Sequence, residues 1–442
     1  MEQLQVSIDM AWTLVAAFLV FLMQAGFALL GAGMVRVKNT ANYLTKSYMD
    51  FSIGAFVFLL VGFALMFGGS GGAPGLEAGN RFLGTSGFVL LGEAAHPSTA
   101  MYFIFQMMFA ATAATIVAGM VSERLKFGAY LVYTVVITAF IYPIYGHWVW
   151  GGGWLSELPV GPGGEKIAAV DFAGSGVVHA VGGLVGLMAA YLLGPRIGKY
   201  NSDGTPNRIP GHNLTYIVTG TFLLFFGWFG FNAGSTLSAT DPVIAIIATN
   251  TFLAGSAGAV AVIAVQLLRG QKPGIGEGCN GALAGLVGIT APCAFVAPWA
   301  SLVIGLVAGI IYMAAAHFIE WKLKIDDPVG AGAVHGVNGL WGLIAVGIFA
   351  DGSYGGVTGL IAGKGHQLLA QLISAGTVLV WALATGFVLF WIIDAAVGLR
   401  VSKEEELGGL DLSEHGLETY PEFPEAVEFP LPMQERLGGE QR

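Results

Sequence analysis

Charge is scarce in this 442-residue chain. Asp, Glu, Lys and Arg make up 11% of it, whereas a soluble domain has about 25%. Apolar sequence takes their place, since 55% of the residues are hydrophobic and the mean hydropathy is +0.72. The apolar runs are long enough for helices that cross a bilayer, which takes ~20 residues. We therefore predict an all-α polytopic membrane protein.

Cysteine is almost missing, with only Cys279 and Cys293. They bracket one predicted span, so they should lie near opposite membrane faces, which argues against a disulfide. We find no metal-ligand spacing, no nucleic-acid motif, no phosphate-binding loop and no nucleophile–base pair, so neither a cofactor nor an enzyme is expected. The amino terminus has no basic region, and the apolar stretch at 10–34 is too long for a signal-peptide core. We predict that it is retained as the first span.

Charged, proline-rich or polar breaks divide the chain into eleven candidate spans. They cover residues 9–35, 48–69, 99–121, 128–146, 173–194, 214–235, 242–268, 278–297, 299–320, 329–350 and 369–399. Sixteen of the 19 Lys and Arg residues then fall on one side, and only Arg81, Lys166 and Lys364 fall on the other. Because basic residues favour the inner side, we predict N-out, C-in. Residues 1–400 form the predicted transmembrane domain, and 401–442 form a cytoplasmic C-terminal region.

One stretch of the chain occurs twice. Residues 171–187, DFAGSGVVHAVGGLVGL, match residues 327–343, DPVGAGAVHGVNGLWGL, at ten of 17 positions. The copies lie on the fifth and tenth spans, which run through the membrane in opposite directions. We therefore predict an inverted repeat of two halves, about 9–194 and 214–350, with the last span added. Such folds place the substrate path between the halves, near the midplane.

Each copy carries a histidine, His179 or His335, eight residues after an aspartate. A repeated ionisable pair inside a membrane is a candidate functional site. The alternative is that each imidazole bonds a backbone carbonyl. The aspartates, Asp171 and Asp327, open their spans, and one interpretation is that each caps its helix N-terminus, which is favoured for Asp327 and left open for Asp171. Asp171 also lies beside a candidate outer vestibule.

Aromatic residues cluster along the same path. The segments are FIFQMMFA with Phe105 and Phe109, HWVWGGGWL with Trp148, Trp150 and Trp154, and GWFGFNAGS with Trp228, Phe229, Phe231 and Ser235. Trp148 and Trp154 are interpreted as interfacial anchors. Trp150 precedes three glycines, which would let its indole fold over a cavity mouth. An indole, a phenyl ring and a hydroxyl can hold a small cation, although packing in the core remains an alternative for the phenylalanines.

These segments, with GMVRVKN, VSER, DDPVGAGAVHG and the tail GLRVSKEEELGGLDLSEHGLETY, resemble the ammonium transporter/methylammonium permease/Rhesus family. Trp150 and the tail are closer to the ammonium transporter branch. The resemblance implies ammonium as substrate, a plasma-membrane location, a homotrimer with one pore per subunit, and a tail that contacts PII-type signal proteins for nitrogen regulation. The implied roles are an outer recruitment site of Phe109, Trp150 and Ser235 supported by Asp171, a gate of Phe109 and Phe231, and a pore lined by His179 and His335.

The resemblance also implies a mechanism and leaves alternatives. Ammonium pays a large desolvation penalty in an apolar pore and ammonia pays far less, so deprotonation at the entrance would exclude potassium. The proton would follow a separate path.

The alternatives are an electroneutral ammonia/carbon dioxide channel of Rhesus type and an ammonium sensor, the latter disfavoured because no kinase or cyclase domain is appended. Met107, Met108 and Gly330 depart from the family pattern, and the acidic end from Glu422 is predicted to be disordered.

Overall fold

The computed structural model describes residues 2–421, which are helical almost throughout and contain isolated β-bridges but no longer strand. Eleven helices overlap the eleven predicted spans. They are α1 (Gln3–Met34), α2 (Val37–Phe67), α3 (Pro97–Met120), α4 (Phe127–Glu157), α5 (Ser175–Leu193), α6 (Leu214–Thr236), α7 (Val243–Leu268), α8 (Ile275–Thr290), α9 (Pro298–Lys322), α10 (Gly332–Phe349) and α11 (Gly365–Val397). Two short helices follow, α12 (Lys403–Gly408) and α13 (Leu410–His415). The predicted disorder from Glu422 lies outside the described residues.

Ten of the eleven helices are long and apolar enough to cross a membrane. The exception among the described residues is α8, whose 16 residues extend roughly 24 Å at 1.5 Å per residue. It ends at Thr290, whereas the sequence suggested 297. The predicted class, an all-α multi-pass membrane protein, is confirmed, whereas the number of crossings and the orientation stay predictions. "Outer" and "inner" below refer to the predicted orientation.

The predicted start of the second span, at residue 48, is wrong. The helix α2 already begins at Val37 and carries Lys46 inside it. The side chain of Lys46 is buried; its Nζ donates to the Leu125 carbonyl at 2.6 Å and lies 3.5 Å from a Glu414 carboxylate oxygen. A charge with such partners does not interrupt a helix, and the partners come from distant parts of the chain.

The contacts between the two halves are reciprocal, as a pseudo-two-fold axis requires. A Cβ placed on Gly176 would lie 2.8 Å from Leu343, and one on Gly332 would lie 2.7 Å from Leu187. The two contacts are equivalent under the repeat, because 176 and 332 differ by 156, and so do 187 and 343. The helices α1 and α6 also meet reciprocally, since a Cβ on Gly26 would lie 3.0 Å from the Gly220 carbonyl oxygen and one on Gly220 would lie 2.7 Å from the Gly26 carbonyl oxygen. The internal repeat in the sequence is therefore also a repeat in space.

Both α5 and α10 begin with a π-helical turn, Ser175–Ala180 and Gly332–Val337. Each turn follows a glycine in the left-handed region, Gly174 at φ 114° and Gly330 at φ 76°. An L-residue side chain is strained in that conformation, so both positions favour glycine. The turn places His179 and His335 at equivalent positions.

An ion cluster joins the inner loops. Arg196 donates to both carboxylate oxygens of Asp326, at 2.8 and 2.9 Å, and to Glu123 at 3.1 Å; Arg36 pairs with the other Glu123 oxygen. Burial alone would raise the pKa of Asp326, but the hydrogen bond from Arg196 and the charges of Arg124 and Arg196 bring it well below its usual range. The cluster therefore stabilises the ionised carboxylate.

Candidate functional site

Four aromatic rings lie in series between the two halves. The rings of Phe109 and Phe231 are stacked, with centroids 4.1 Å apart and planes 30° apart. Phe231 stacks in turn on His179 at 5.4 Å, and His179 on His335 at 5.2 Å. The exposed fraction of these residues is 4% or less. The structure thus brings the predicted gate and the predicted histidine pair into one closed column.

The two histidines contact each other through Nδ1, at 3.2 Å. One Nδ1 must donate and the other must accept, because two bare nitrogens or two N–H groups repel each other. The Nε2 of His179 is buried and has no hydrogen-bond partner among the described residues. The alternative of two separate imidazole–carbonyl bonds does not describe this geometry. The pair thus leaves two ring nitrogens, one Nε2 on each histidine, without a hydrogen-bond partner in the described part of the chain.

The carboxylate of Asp171 is occupied by backbone groups. Its two oxygens accept the N–H groups of Gly174, Ser175, Gly176 and Val177 at 2.8–3.0 Å. Burial raises the pKa of Asp171 to about 6, although these four N–H groups act against that rise. Asp171 therefore fixes the turn that carries His179, and the predicted capping interaction is present.

The indole of Trp150 closes the outer end of the column. Its Nε1 donates to the backbone carbonyl of Asp171 at 2.7 Å, and its ring meets Phe109 edge-to-face at 6.2 Å. One turn beyond Phe231, the Ser235 hydroxyl donates to the Phe231 carbonyl at 2.7 Å. Its lone pairs are left to accept a hydrogen bond. The half-buried Trp150 and Ser235 therefore offer a π-face and an oxygen acceptor to a cation.

The second aspartate repeats this arrangement at the inner end. Asp327 accepts the N–H groups of Gly330 at 2.9 Å and Gly332 at 2.7 Å, where α10 begins. Burial raises the pKa of its carboxyl, against the same kind of backbone bonds. Capping is therefore present here too, and it positions the turn that carries His335.

Two aromatic neighbours of the histidines, Trp228 and Phe27, have no role in the sequence-based hypothesis. Trp228 stacks on His179 with centroids 5.1 Å apart, and its Nε1 donates to the Thr290 hydroxyl at 2.9 Å. Its spacing of three residues from Phe231 puts both on one helix face, which was a usable signal. Phe27 lies 6.2 Å from His335, and no sequence pattern pointed to it.

A hollow lies below His335, on the inner side. Its lining includes Phe27, Leu30, Tyr43, Thr115, Asn280 and His335. The lining is mostly apolar, with a few hydroxyl and amide groups. A molecule that passes His335 from the outer side would enter this hollow, which we call the inner cavity.

The remaining aromatic and sulphur side chains lie beside the column. The ring contacts of Trp148 are with Tyr145, Trp154 and Trp381, and its Nε1 donates to the Phe82 carbonyl at 2.9 Å. Met107 and Met108 are buried in α3. None of these three residues has a ring or hydrogen-bond contact with the histidines in the described part of the chain.

Comparisons with known proteins match nearly the whole chain. The model of the Ammonium Transporter Family matches residues 11–420. The ammonium transporter Amt2 of Archaeoglobus fulgidus is 54% identical over 99% of this chain and 93% of its own. A solved structure titled Sensor Amt Protein has a TM-score of 0.85 and 39% identity, covering 94% of this chain and 100% of that one. The crystal structure of Candida albicans Mep2 has a TM-score of 0.80 and 30% identity, covering 96% and 93%.

Proposed function

The chain belongs to the ammonium transporter family, and is therefore a membrane transporter rather than an enzyme. We propose that it recruits ammonium at the outer aromatic site, deprotonates it there and conducts ammonia past the histidine pair. The proton crosses separately, which makes transport electrogenic.

The observation that carries this proposal is the buried Nδ1–Nδ1 contact of His179 and His335 beneath the stacked Phe109 and Phe231. An ammonium or potassium ion in such a column would lose its hydration shell with no charged group to replace it. Neutral ammonia can both donate and accept hydrogen bonds, as can the imidazoles. This geometry supports passage of the neutral molecule and rejection of a permanent cation.

In this proposal the outer residues have separate roles. Trp150, Phe109 and Ser235 hold the cation by ring faces and the hydroxyl lone pairs. Asp171 keeps Trp150 and the π-helical turn in place and adds negative charge near the entrance. Its carboxylate is supported by four N–H groups, which favours a positioning role over direct proton transfer.

The test is a current measurement on purified protein in liposomes adsorbed to a solid-supported membrane. We expect a transient current on adding ammonium and none on adding the same concentration of potassium. Ammonia flux without any ammonium-dependent current would instead support the electroneutral channel of Rhesus type, and would reject the electrogenic proposal.

Replacing Trp150 with leucine should weaken recruitment. A desolvated cation–π contact is worth about 1–2 kcal/mol, so the ammonium concentration at half-maximal current should rise about 5–30-fold. Trp154→Leu is the matched control, because its ring contacts Trp148 and not Phe109. An unaltered concentration dependence in Trp150→Leu, with the protein intact, would remove Trp150 from the outer site.

We further propose a domain organisation and an oligomeric state for the chain. Residues 1–400 form the transport domain and 401–442 the cytoplasmic region, in a plasma-membrane homotrimer with a pore in each subunit. The described tail is held against the inner loops, since Asp411 accepts the N–H groups of Ala41 and Asn42 at 3.0 and 2.8 Å. Such an ordered inner surface supports docking of a PII-type signal protein.

A further inference from the structure

A second ionisable group is buried in the membrane and has no role in the mechanism above. Asp50 lies near the middle of α2 and is 0% exposed. It forms no ion pair with any described residue. An ionised carboxylate in that position is costly, and intramembrane acids commonly mark ion or proton pathways.

The hydrogen bonds of Asp50 favour a carboxyl group that carries a proton. The Tyr130 hydroxyl donates to Oδ2 at 2.5 Å. The other oxygen, Oδ1, lies 3.1 Å from the Thr115 hydroxyl, which is also 3.0 Å from Gln24 Oε1 and 2.9 Å from the Ala111 carbonyl. One hydroxyl proton cannot serve three acceptors.

A proton on Asp50 resolves this conflict. Oδ1 then donates to Thr115, and Thr115 donates to the Ala111 carbonyl. Turning the amide of Gln24 lets its Nε2, otherwise without a partner, donate to the second lone pair of Thr115. The Thr115 hydroxyl and both carboxyl oxygens of Asp50 are then satisfied.

Thr115 connects this carboxyl to the transport path. Thr115 lines the inner cavity together with Tyr43 and His335. Asp50 is thus one hydroxyl away from a molecule in the cavity. A hydroxyl that accepts a proton on one side and releases its own on the other can link the two.

The other titratable groups near Asp50 do not supply a counter-charge. Tyr130 and Tyr133 pack against each other on α4, 4.8 Å apart, and Tyr43 lies on α2 itself. Lys46 is one turn away on α2, but its ammonium group is directed at the Leu125 carbonyl and Glu414. Across the cavity, His335 is bonded to His179.

We propose that Asp50 is a proton-donating group for the inner end of the pore, acting through Thr115. The Thr115 hydroxyl turns its proton from the Ala111 carbonyl to ammonia in the inner cavity, which takes it while the Asp50 carboxyl proton moves to the Thr115 oxygen. The products are ammonium and the Asp50 carboxylate. The proton that ammonium released at the outer site restores the carboxyl. This inference rests on the proposed electrogenic function.

The experiment compares wild type with Asp50→Asn in liposomes, because asparagine keeps the shape but cannot release an acidic proton. Two signals are recorded, the ammonium-dependent current and the ammonia flux followed by an internal pH dye. We expect the current of Asp50→Asn to fall at least tenfold while the ammonia flux stays within twofold, and Asp50→Glu to recover part of the current. The dependence of the wild-type current on inner pH should vanish in Asp50→Asn.

Thr115→Val provides an independent variant should Asp50→Asn fail to fold, and it should lower the current in the same way. Thr112→Val is its control, since among the described residues that buried hydroxyl bonds only the Met108 carbonyl of its own helix. Unchanged current and pH profile in Thr115→Val or in folded Asp50→Asn would overturn the role of Asp50 and leave the proposed function standing. Equal loss of current and ammonia flux would make the site structural. Wild type without current would overturn both.

Discussion

Alanine at His335 should abolish the discrimination between ammonium and potassium. The imidazole of His335 separates the inner cavity from His179 and fills the column between them. Its removal leaves space that water can enter, and a hydrated passage no longer imposes the desolvation penalty that excludes ions. We expect the ratio of ammonium to potassium current to fall at least tenfold, and His179→Ala to act in the same direction.

The measurement is again the current in liposomes, with separate ammonium and potassium gradients. His317→Ala is the matched control, because His317 is exposed at the inner end of α9 and its one ring contact within residues 2–421 is with Trp321. Wild-type selectivity and flux in both His179→Ala and His335→Ala would reduce the pair to a structural role.

Replacing Asp326 with asparagine should lower the free energy of unfolding. The side chain is fully buried and receives two hydrogen bonds from the Arg196 side chain. Removing one partner of a buried ion pair costs about 3–5 kcal/mol, and here, of the described residues, Glu123 alone would remain to pair with Arg196. We expect a clear fall in the melting temperature of Asp326→Asn in detergent at pH 7, followed by tryptophan fluorescence. Asp203→Asn, on an exposed loop, should melt like wild type.

The same pair predicts a pH dependence. The pKa of Asp326 is lower in the folded protein than its ordinary value, which is about 3.9 in an unfolded chain. Its stabilisation is therefore complete above about pH 4 and is lost as the pH falls towards the folded pKa. Wild type should lose melting temperature below about pH 4, and Asp326→Asn should lose less over that interval. Parallel curves would contradict this assignment.

Local repetition made much of the site predictable. Because residues 156 apart in α5 and α10 are equivalent, a symmetric fold had to bring His179 and His335 together. The capping by Asp171 and Asp327 followed from their place before a helix. These features depend on order along the chain, which the sequence displays directly.

Features that depend on distant partners were not predictable in this way. Lys46 looked like the end of a loop because its partner, Glu414, is far away in sequence. The bond from the Trp150 indole to the Asp171 carbonyl, and the contact of Phe27 with His335, likewise arise only from packing. One sequence without aligned relatives carries no signal for such pairs.

The Nδ1–Nδ1 contact has a consequence for the sense of conduction. The pseudo-two-fold axis exchanges the two imidazoles, yet a single proton can reside on only one Nδ1. With the proton on His179 Nδ1, His179 Nε2 is a bare acceptor and His335 Nε2 carries a hydrogen; the other tautomer reverses both. A backbone built from two matching halves thus holds an asymmetric chemical state. Inverting the polarity presented to each molecule in transit takes two proton shifts, one between the two Nδ1 atoms and one from Nε2 of the accepting ring to Nε2 of the donating ring.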